Sequence, residues 1–270
     1  MSELTRERYP LKRRQILITG VSRRAGIGYA IARKVAALGA SVIIHHHQAH
    51  DREQEWGADD LNAVIEGIKK ELVEDATFYE FQGNFMDASA PEELFKEINK
   101  YCGHVDGLIC NHALSGSDGF LEELTAEMID KHYIINTRSS LLLAQSFMKQ
   151  HLPDKNIGKV IFMTSGQQQG PMPGEVAYAT AKGGLAEIVL TLSDELAAKN
   201  ITINVVNPGP VDTGYLTEDK WKEVRSKFPF NRFGQPTDTA NLISWLLTDE
   251  GSWITGQVIN SEGGFARWKS

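Results

Sequence analysis

The sequence predicts an α/β fold of the doubly wound kind: a parallel sheet of about seven strands with helices on both faces, as one domain over residues 1–270. Two observations carry this. Short apolar runs without polar alternation recur along the chain, as strands covered on both faces require. Longer amphipathic segments separate them, and strand–helix–strand repetition means parallel pairing with right-handed crossovers. A third observation marks the end of the sheet where a ligand would sit: glycines cluster between the first strand and the first helix.

The strands in order are QILIT (15–19), SVIIHH (41–46), TFYEFQ (77–82), VDGLIC (105–110), KVIFMT (159–164), ITINVVN (201–207) and GQVIN (256–260). Helices are predicted at residues 27–38, 59–73, 91–100, 124–151, 175–199 and 236–248. Residues 212–236, DTGYLTEDKWKEVRSKFPFNRFGQP, have weak periodicity and many bulky side chains, and are expected to leave the sheet as a lid. Met172, Tyr215, Trp221, Phe228 and Phe230 are candidates for an apolar substrate pocket, or for packing the lid onto the core. No internal repeat or Pro/Gly/Ser linker interrupts the pattern.

The chain is 41% hydrophobic and 23% charged, an ordinary globular composition. Its net charge of −7 argues against a nucleic-acid surface. No run approaches the ~18 apolar residues needed to cross a bilayer. The charged start, MSELTRERYPLKRR, has no apolar signal region, so a cytoplasmic location is expected. Cys102 and Cys110 lack metal-ligand spacing, and Cys110 reads as a small buried hydrophobe.

After the first strand comes TGVSRRAGIGYAIARKVAALGA. Gly20 permits a tight turn, Gly26 lets backbone approach a pyrophosphate, and Gly28 lets helix pack on strand, with Ser22 and Ile27 in the same loop. The following helix would face phosphates with its free N–H groups and positive dipole end. Strand before and helix after make this a Rossmann-type dinucleotide site.

The sequence YATAK (178–182) opens the helix predicted from residue 175. Tyr178 and Lys182, four apart, share a helix face. Ser165 stands thirteen residues before Tyr178 at a strand end, in FMTSGQQQG, and Asn136 lies in the preceding long helix, in HYIINTRSS. This set, with the glycine loop, ICNHA (109–113), NPGPVDT (207–213) and EGG (262–264), resembles the short-chain dehydrogenase/reductase family over nearly the whole chain. Among its members the 3-oxoacyl-carrier-protein reductases look nearest.

The resemblance implies an oxidoreductase interconverting a ketone and a secondary alcohol, with an acyl-thioester among the possible substrates. Tyr178 would be the general acid/base, and Ser165 would hold the substrate oxygen. Lys182 would bond the nicotinamide ribose, and Asn136 would hold a relay water. A free tyrosine, pKa ~10, is too weak an acid to shuttle protons near neutrality. A nearby ammonium favours the phenolate, so Lys182 is expected to lower that pKa. By the same resemblance Asn84, Phe85, Asn111 and Ala113 fall on the adenosine side. Pro208, Gly209, Val211 and Thr213 meet the carboxamide, and Met172 and Tyr215 border the substrate. The family also implies a homo-oligomer, a tetramer or dimer.

Two departures from the family pattern bear on the branch and the cofactor, besides Cys110, His112 and Ala113 in its N-N-A-G element and Asn84 where an Asp is usual. Gly20 and Gly26 have five residues between them rather than three, which is similar to the enoyl-reductase branch. That branch spaces Tyr and Lys seven apart, and the positions seven away here are Glu175 and Leu185. The second departure concerns the cofactor. NAD enzymes place an acid at the end of the second strand to bind the ribose hydroxyls. His46 occupies that position and His47 the next. Arg23 and Arg24 lie where NADP-using members often carry a basic residue, and an anionic 2′-phosphate suits guanidiniums and imidazoles. The expected cofactor is therefore NADP(H). An NAD(H)-dependent dehydrogenase and a non-catalytic NADP(H) sensor are the alternatives. No metal is expected, because adjacent strand side chains point to opposite faces and His45, His46 and His47 cannot converge on one ion.

Overall fold

The computed structural model describes residues 7–54, 56–215 and 217–266. Seven parallel strands form one sheet in the order β3-β2-β1-β4-β5-β6-β7. They are β1 Gln15–Thr19, β2 Ser41–His46, β3 Phe78–Gln82, β4 Gly107–Cys110, β5 Gly158–Met163, β6 Ile201–Asn207 and β7 Val258–Asn260. The order reverses between β1 and β4, so the crossovers from these two strands leave on opposite faces. The crevice this opens at their C-terminal ends is the ligand position of an open α/β sheet.

Side-chain alternation along the strands builds two cores. Ile16, Ile18, Val42 and Ile44 point to one face and pack with Ile31 and Val35 of α1 (Ile27–Ala37), Val64 and Ile68 of α3 (Leu61–Lys69), and Ile243 and Leu247 of α9 (Pro236–Leu247). Leu17, Ile43 and Leu108 point to the other face. They meet Leu94 and Ile98 of α4 (Ala90–Tyr101), Leu143 and Phe147 of α6 (Ser139–Gln150), and Leu185 and Val189 of α7 (Val176–Ala197). Burial on both sides is why these strands read as unbroken apolar runs.

The helix predicted over residues 124–151 is divided. It runs as α5 (Ala126–His132), a π-helical turn over Tyr133–Arg138, and then α6. Periodicity cannot reveal such a turn, because one wide turn displaces the apolar stripe only slightly. The helix predicted at 59–73 shortens to α3, which starts where the Asp60 side chain accepts from the Asn62 N–H at 2.9 Å. Two helices were not predicted: α2 (Gln48–Glu53) and α8 (Glu218–Arg225). Both are short and mainly polar, so neither carries an apolar stripe.

Within the predicted lid, Phe228 and Phe233 are buried against each other at 4.7 Å between ring centroids, and Phe265 joins them. Trp221 packs edge-on to Phe233 at 5.1 Å. Trp221 and Phe228 thus pack with Phe233 within the segment. Phe230 and Tyr215 stay exposed.

Candidate active site

A cavity of about 510 Å³ opens at the crevice between β1 and β4. Its floor is the glycine loop. Gly20 has φ +71°, and a Cβ there would sit 2.7 Å from the His112 Cα. Gly28 is a packing position, since its Cβ would meet the Asn111 side chain at 2.6 Å and the Gly20 carbonyl at 2.8 Å. Gly20, Ser22, Gly26 and Ile27 border the cavity, and no side chain caps the N-terminus of α1 at Gly26. Free N–H groups at a helix end beside a cradle that Cβ atoms would fill suit a pyrophosphate. Asn84, Phe85, Asn111, Ala113 and Thr213 complete the predicted part of the wall. Asn111 reaches back to the Thr19 and Gly20 carbonyls at 3.0 and 3.1 Å, tying β4 to the glycine loop.

The second strand divides its histidines as its pleat dictates. His45 turns toward the cavity, stacks on Phe85 at 4.1 Å, and donates from Nε2 to the Gly83 carbonyl at 3.1 Å. His46 turns to the other face, 3.7 Å from the Glu80 carboxylate, and is absent from the cavity wall. His47 lies on the wall. Arg23 also lies there, its guanidinium 5.1 Å from the Trp56 ring centroid and donating to the Thr213 carbonyl at 2.9 Å. Arg24 does not. Asp59 takes its guanidinium in a bidentate pair at 2.7 and 3.0 Å, so one of the two expected cations is already engaged elsewhere. Among the described residues no cluster of three or more His, Cys, Asp or Glu forms a metal-binding group.

Buried histidines make the site acid-sensitive. Burial holds His45 down at about 3, and holds His112 well below the ordinary histidine range. A folded-state pKa below the unfolded value means the unfolded chain binds more protons between about 3 and 6.5. Stability is therefore full above pH 6.5 and falls as pH drops through that window, by roughly 1.4 kcal/mol per pH unit for His45. Urea titrations at pH 6.5 and 5 should differ by about 2 kcal/mol on account of His45, with His112 adding in the same direction. His45→Gln should remove one share; an unchanged difference in that variant would reject the assignment.

The predicted catalytic residues meet next to this cavity, outside its wall. Tyr178 is the third residue of α7, and Lys182 follows one turn later. Ser165 follows β5, its Oγ 3.9 Å from the Met172 Sδ and near the Tyr178 side chain. Lys182 is 2% exposed; its Nζ donates to the Met163 carbonyl at 2.9 Å and lies 5.8 Å from the Tyr178 ring centroid. Burial lowers its pKa to about 8. Tyr178 differs from expectation. Its pKa is pushed up to about 12, by burial first and then by the Glu175 charge, while the Ser165 hydroxyl opposes the rise. Desolvation of the phenolate outweighs the neighbouring ammonium, so the phenol is held in its acid form.

Asn136 sits fully buried in the π-helical turn. Its side chain accepts from the Leu114 N–H at 2.8 Å and donates to the Leu114 carbonyl at 3.1 Å. It thus pins the loop after β4. Pro208, Gly209 and Val211 follow β6. Gly209 has φ +64° and lies against Glu262, and Val211 bridges to Gly234, bringing Thr213 to the cavity.

Residues 20–266 match the family model described as Enoyl-(Acyl carrier protein) reductase. The chain is 40% identical over 253 residues to the "Uncharacterized oxidoreductase YjdA" of Bacillus subtilis (strain 168), covering 93% of this chain and 96% of that protein. It is 31% identical over 251 residues to the 3-oxoacyl-[acyl-carrier-protein] reductase FabG of Staphylococcus epidermidis (strain ATCC 35984), covering 92% of this chain and 97% of that one. The chain belongs to the short-chain dehydrogenase/reductase family. Among solved structures, that of the angucycline C-6 ketoreductase LanV with bound NADP superposes with a TM-score of 0.82 at 26% identity, covering 95% of this chain and 97% of that one. This short-chain dehydrogenase/reductase is accordingly an enzyme acting on CH–OH or C=O groups with a nicotinamide nucleotide.

Sequence reasoning about this dehydrogenase/reductase missed part of the cavity wall. His45, Asp51 and Trp56 all border it. Asp51 is buried, with the Trp56 indole N–H 3.5 Å away. The signal was the length of the polar connection after β2, which holds α2 and a tryptophan. No helix among the described residues is long and apolar enough to cross a membrane.

Proposed function

We propose that this enzyme is an NADP(H)-dependent ketone reductase and secondary alcohol dehydrogenase with Tyr178 as its general acid/base. The observation that carries this is the proximity of Ser165 and Lys182 to Tyr178, whose helix is held by the loop that borders the nucleotide cavity. The Ser165 hydroxyl lies close enough to the Tyr178 phenol to favour its ionised form, so a carbonyl oxygen placed between them would accept from both. Gly20, Ser22, Gly26 and Ile27 would hold a nicotinamide nucleotide, which would supply a hydride for the carbonyl carbon. Tyr178 gives its proton to the oxygen as negative charge develops, and Ser165 holds that oxygen in place. With a pKa of about 8, Lys182 carries the positive charge that stabilises the departing phenolate and can return a proton to it near neutral pH. Met172 beside Ser165 and Tyr215 near Tyr178 would favour an apolar or aromatic ketone, or the acyl chain of a thioester.

The family description names enoyl reductases. The Tyr–Lys spacing of four favours ketone reduction, since Glu175, not a tyrosine, stands seven residues before Lys182. NADPH consumption with acetoacetyl-CoA and an aromatic ketone, but not with crotonyl-CoA, is the expected result; the reverse pattern rejects the reading.

For the cofactor, support for NADP(H) is Arg23 on the cavity wall and the NADP in the LanV ketoreductase. Calorimetric titration should find NADPH tighter than NADH. Arg23→Ala should cost NADPH about 1–3 kcal/mol, the worth of a hydrogen bond to a charged group, and spare NADH. Arg24→Ala should do little, because Asp59 already holds that guanidinium. Equal affinities in the unaltered protein would point to NAD(H).

A further inference from the structure

Helix α7 begins without a cap of its own. Glu175 stands at its N-cap position, yet its side chain makes no capping hydrogen bond. The first-turn N–H groups are instead taken by Asp118, from a loop far away in sequence. Its Oδ1 accepts from the Ala177 N–H at 3.0 Å and its Oδ2 from the Tyr178 N–H at 2.7 Å. Oδ1 also accepts from the Gly119 N–H at 2.8 Å, which fixes the carboxylate's plane. The second residue bonded this way is Tyr178 itself.

The loop that carries Asp118 is held at its other end too. Asn136 clasps Leu114 through both its amide atoms. His132, fully buried, donates from Nε2 to the Gly116 carbonyl at 3.0 Å, which leaves Nδ1 to accept from Asn136 at 3.4 Å. The same imidazole meets the Tyr178 ring edge-on at 6.0 Å. Between these anchors, Ala113, Leu114, Ser115 and Ser117 border the nucleotide cavity. Ser117 holds φ +51°, a left-handed conformation that a residue with a Cβ adopts only when its surroundings require it.

We propose that Asp118 is a positioning residue, which caps α7 from the cavity loop and thereby sets Tyr178 against Ser165. Helix first turns fray most readily, because their N–H groups have no intrahelical partner. A catalytic side chain on the third residue of a helix is exposed to that fraying. A charged cap from a second element removes it. It also ties the position of Tyr178 to a loop that borders the nucleotide cavity, so an ordered loop and an ordered tyrosine go together. The inference rests on the reading of Tyr178 as proton donor.

The test pairs Asp118→Ala with Asp118→Asn, which retains one acceptor oxygen. Hydrogen exchange followed by mass spectrometry over residues 176–183 reads the cap without any substrate. Asp118→Ala should speed exchange there by about tenfold or more, with Asp118→Asn in between. In reduction of acetoacetyl-CoA by NADPH, Asp118→Ala should lower kcat roughly 10- to 100-fold, the cost of an ångström-scale misplacement. KM for acetoacetyl-CoA and the NADPH Kd should stay within about threefold, and Asp118→Asn should recover part of kcat. Unchanged exchange, a kcat within about twofold of the unaltered enzyme, or parallel losses in kcat, KM and Kd would overturn the proposal. Should Asp118→Ala fail to fold, Asp118→Asn is judged by the same criteria. Tyr178→Phe, run alongside, separates the two readings. If it keeps turnover, the proton-donor assignment fails. If it is inactive while Asp118→Ala behaves as unaltered enzyme, only the Asp118 proposal fails.

Discussion

Tyr178→Phe should leave a folded protein that binds NADPH and reduces ketones 10²–10⁴-fold more slowly, the usual worth of a general acid. The substitution removes one oxygen from a half-buried ring and keeps the ring's packing against His132. Single-turnover consumption of NADPH measures it; retention of more than about a tenth of the rate would mean that Tyr178 is not the donor. The pH profile gives an independent check. Because the phenol is pushed up to about 12, it stays protonated through the neutral range, so ketone reduction should not lose its acid on that account below about pH 10. Alcohol oxidation needs the phenolate, so its kcat/KM should climb about tenfold per pH unit between pH 7 and 10. A flat oxidation profile would place the base elsewhere.

Lys182→Met should be almost as severe for catalysis, yet opposite in sign for stability. Removing the ammonium takes away the charge that supports the phenolate, and turnover should fall by about 10² or more. NADPH should bind more weakly, since the same ammonium is proposed to meet the cofactor's ribose. Stability behaves differently because the folded-state pKa is depressed from 10.5 to about 8. The unfolded chain binds the extra proton between those values, so the lysine's destabilising effect is complete below pH 8 and fades as pH rises to 10.5. Methionine fills similar volume without a charge. At pH 7 the variant should therefore be no less stable than the unaltered protein, gaining up to about 3 kcal/mol, less the lost bond to the Met163 carbonyl. That gain should shrink toward zero by pH 10.5. Urea unfolding at pH 7 and 10 reads the difference, and a gain that grows with pH would contradict the burial argument.

Which parts of this enzyme could be read from its sequence follows from what sequence patterns record. Burial on both faces of a parallel sheet leaves apolar runs, so β1, β2 and β6 coincide with QILIT, SVIIHH and ITINVVN to the residue. The glycine loop was legible because Gly20 and Gly28 stand where a Cβ would strike backbone or Asn111, a constraint that only glycine meets. The pairing of Tyr178 with Lys182 was legible because a helix places residues four apart on one face.

The remainder depends on encounters between segments distant in the chain. Nothing in SRRAGIG says that Asp59 will take Arg24 and leave Arg23 to the cavity, since that choice is made by how the segment before α3 folds over the loop. The pleat of β2, and not the count of histidines, puts His45 toward the cavity and His46 against Glu80. Whether Tyr178 is an acid or a base at rest could not be read from the ammonium four residues away. Desolvation by the folded chain outweighs that charge. Asp118 lies sixty residues before Tyr178 and matched no motif, because a cap supplied across the fold leaves no local spacing to recognise. The sequence by itself determined the sheet, the glycine turn and the pairing of Tyr178 with Lys182, since each obeys a local steric or periodic rule. The tertiary structure alone decided which charges remain available and what holds the tyrosine in place, because those depend on burial and on partners brought together only by folding.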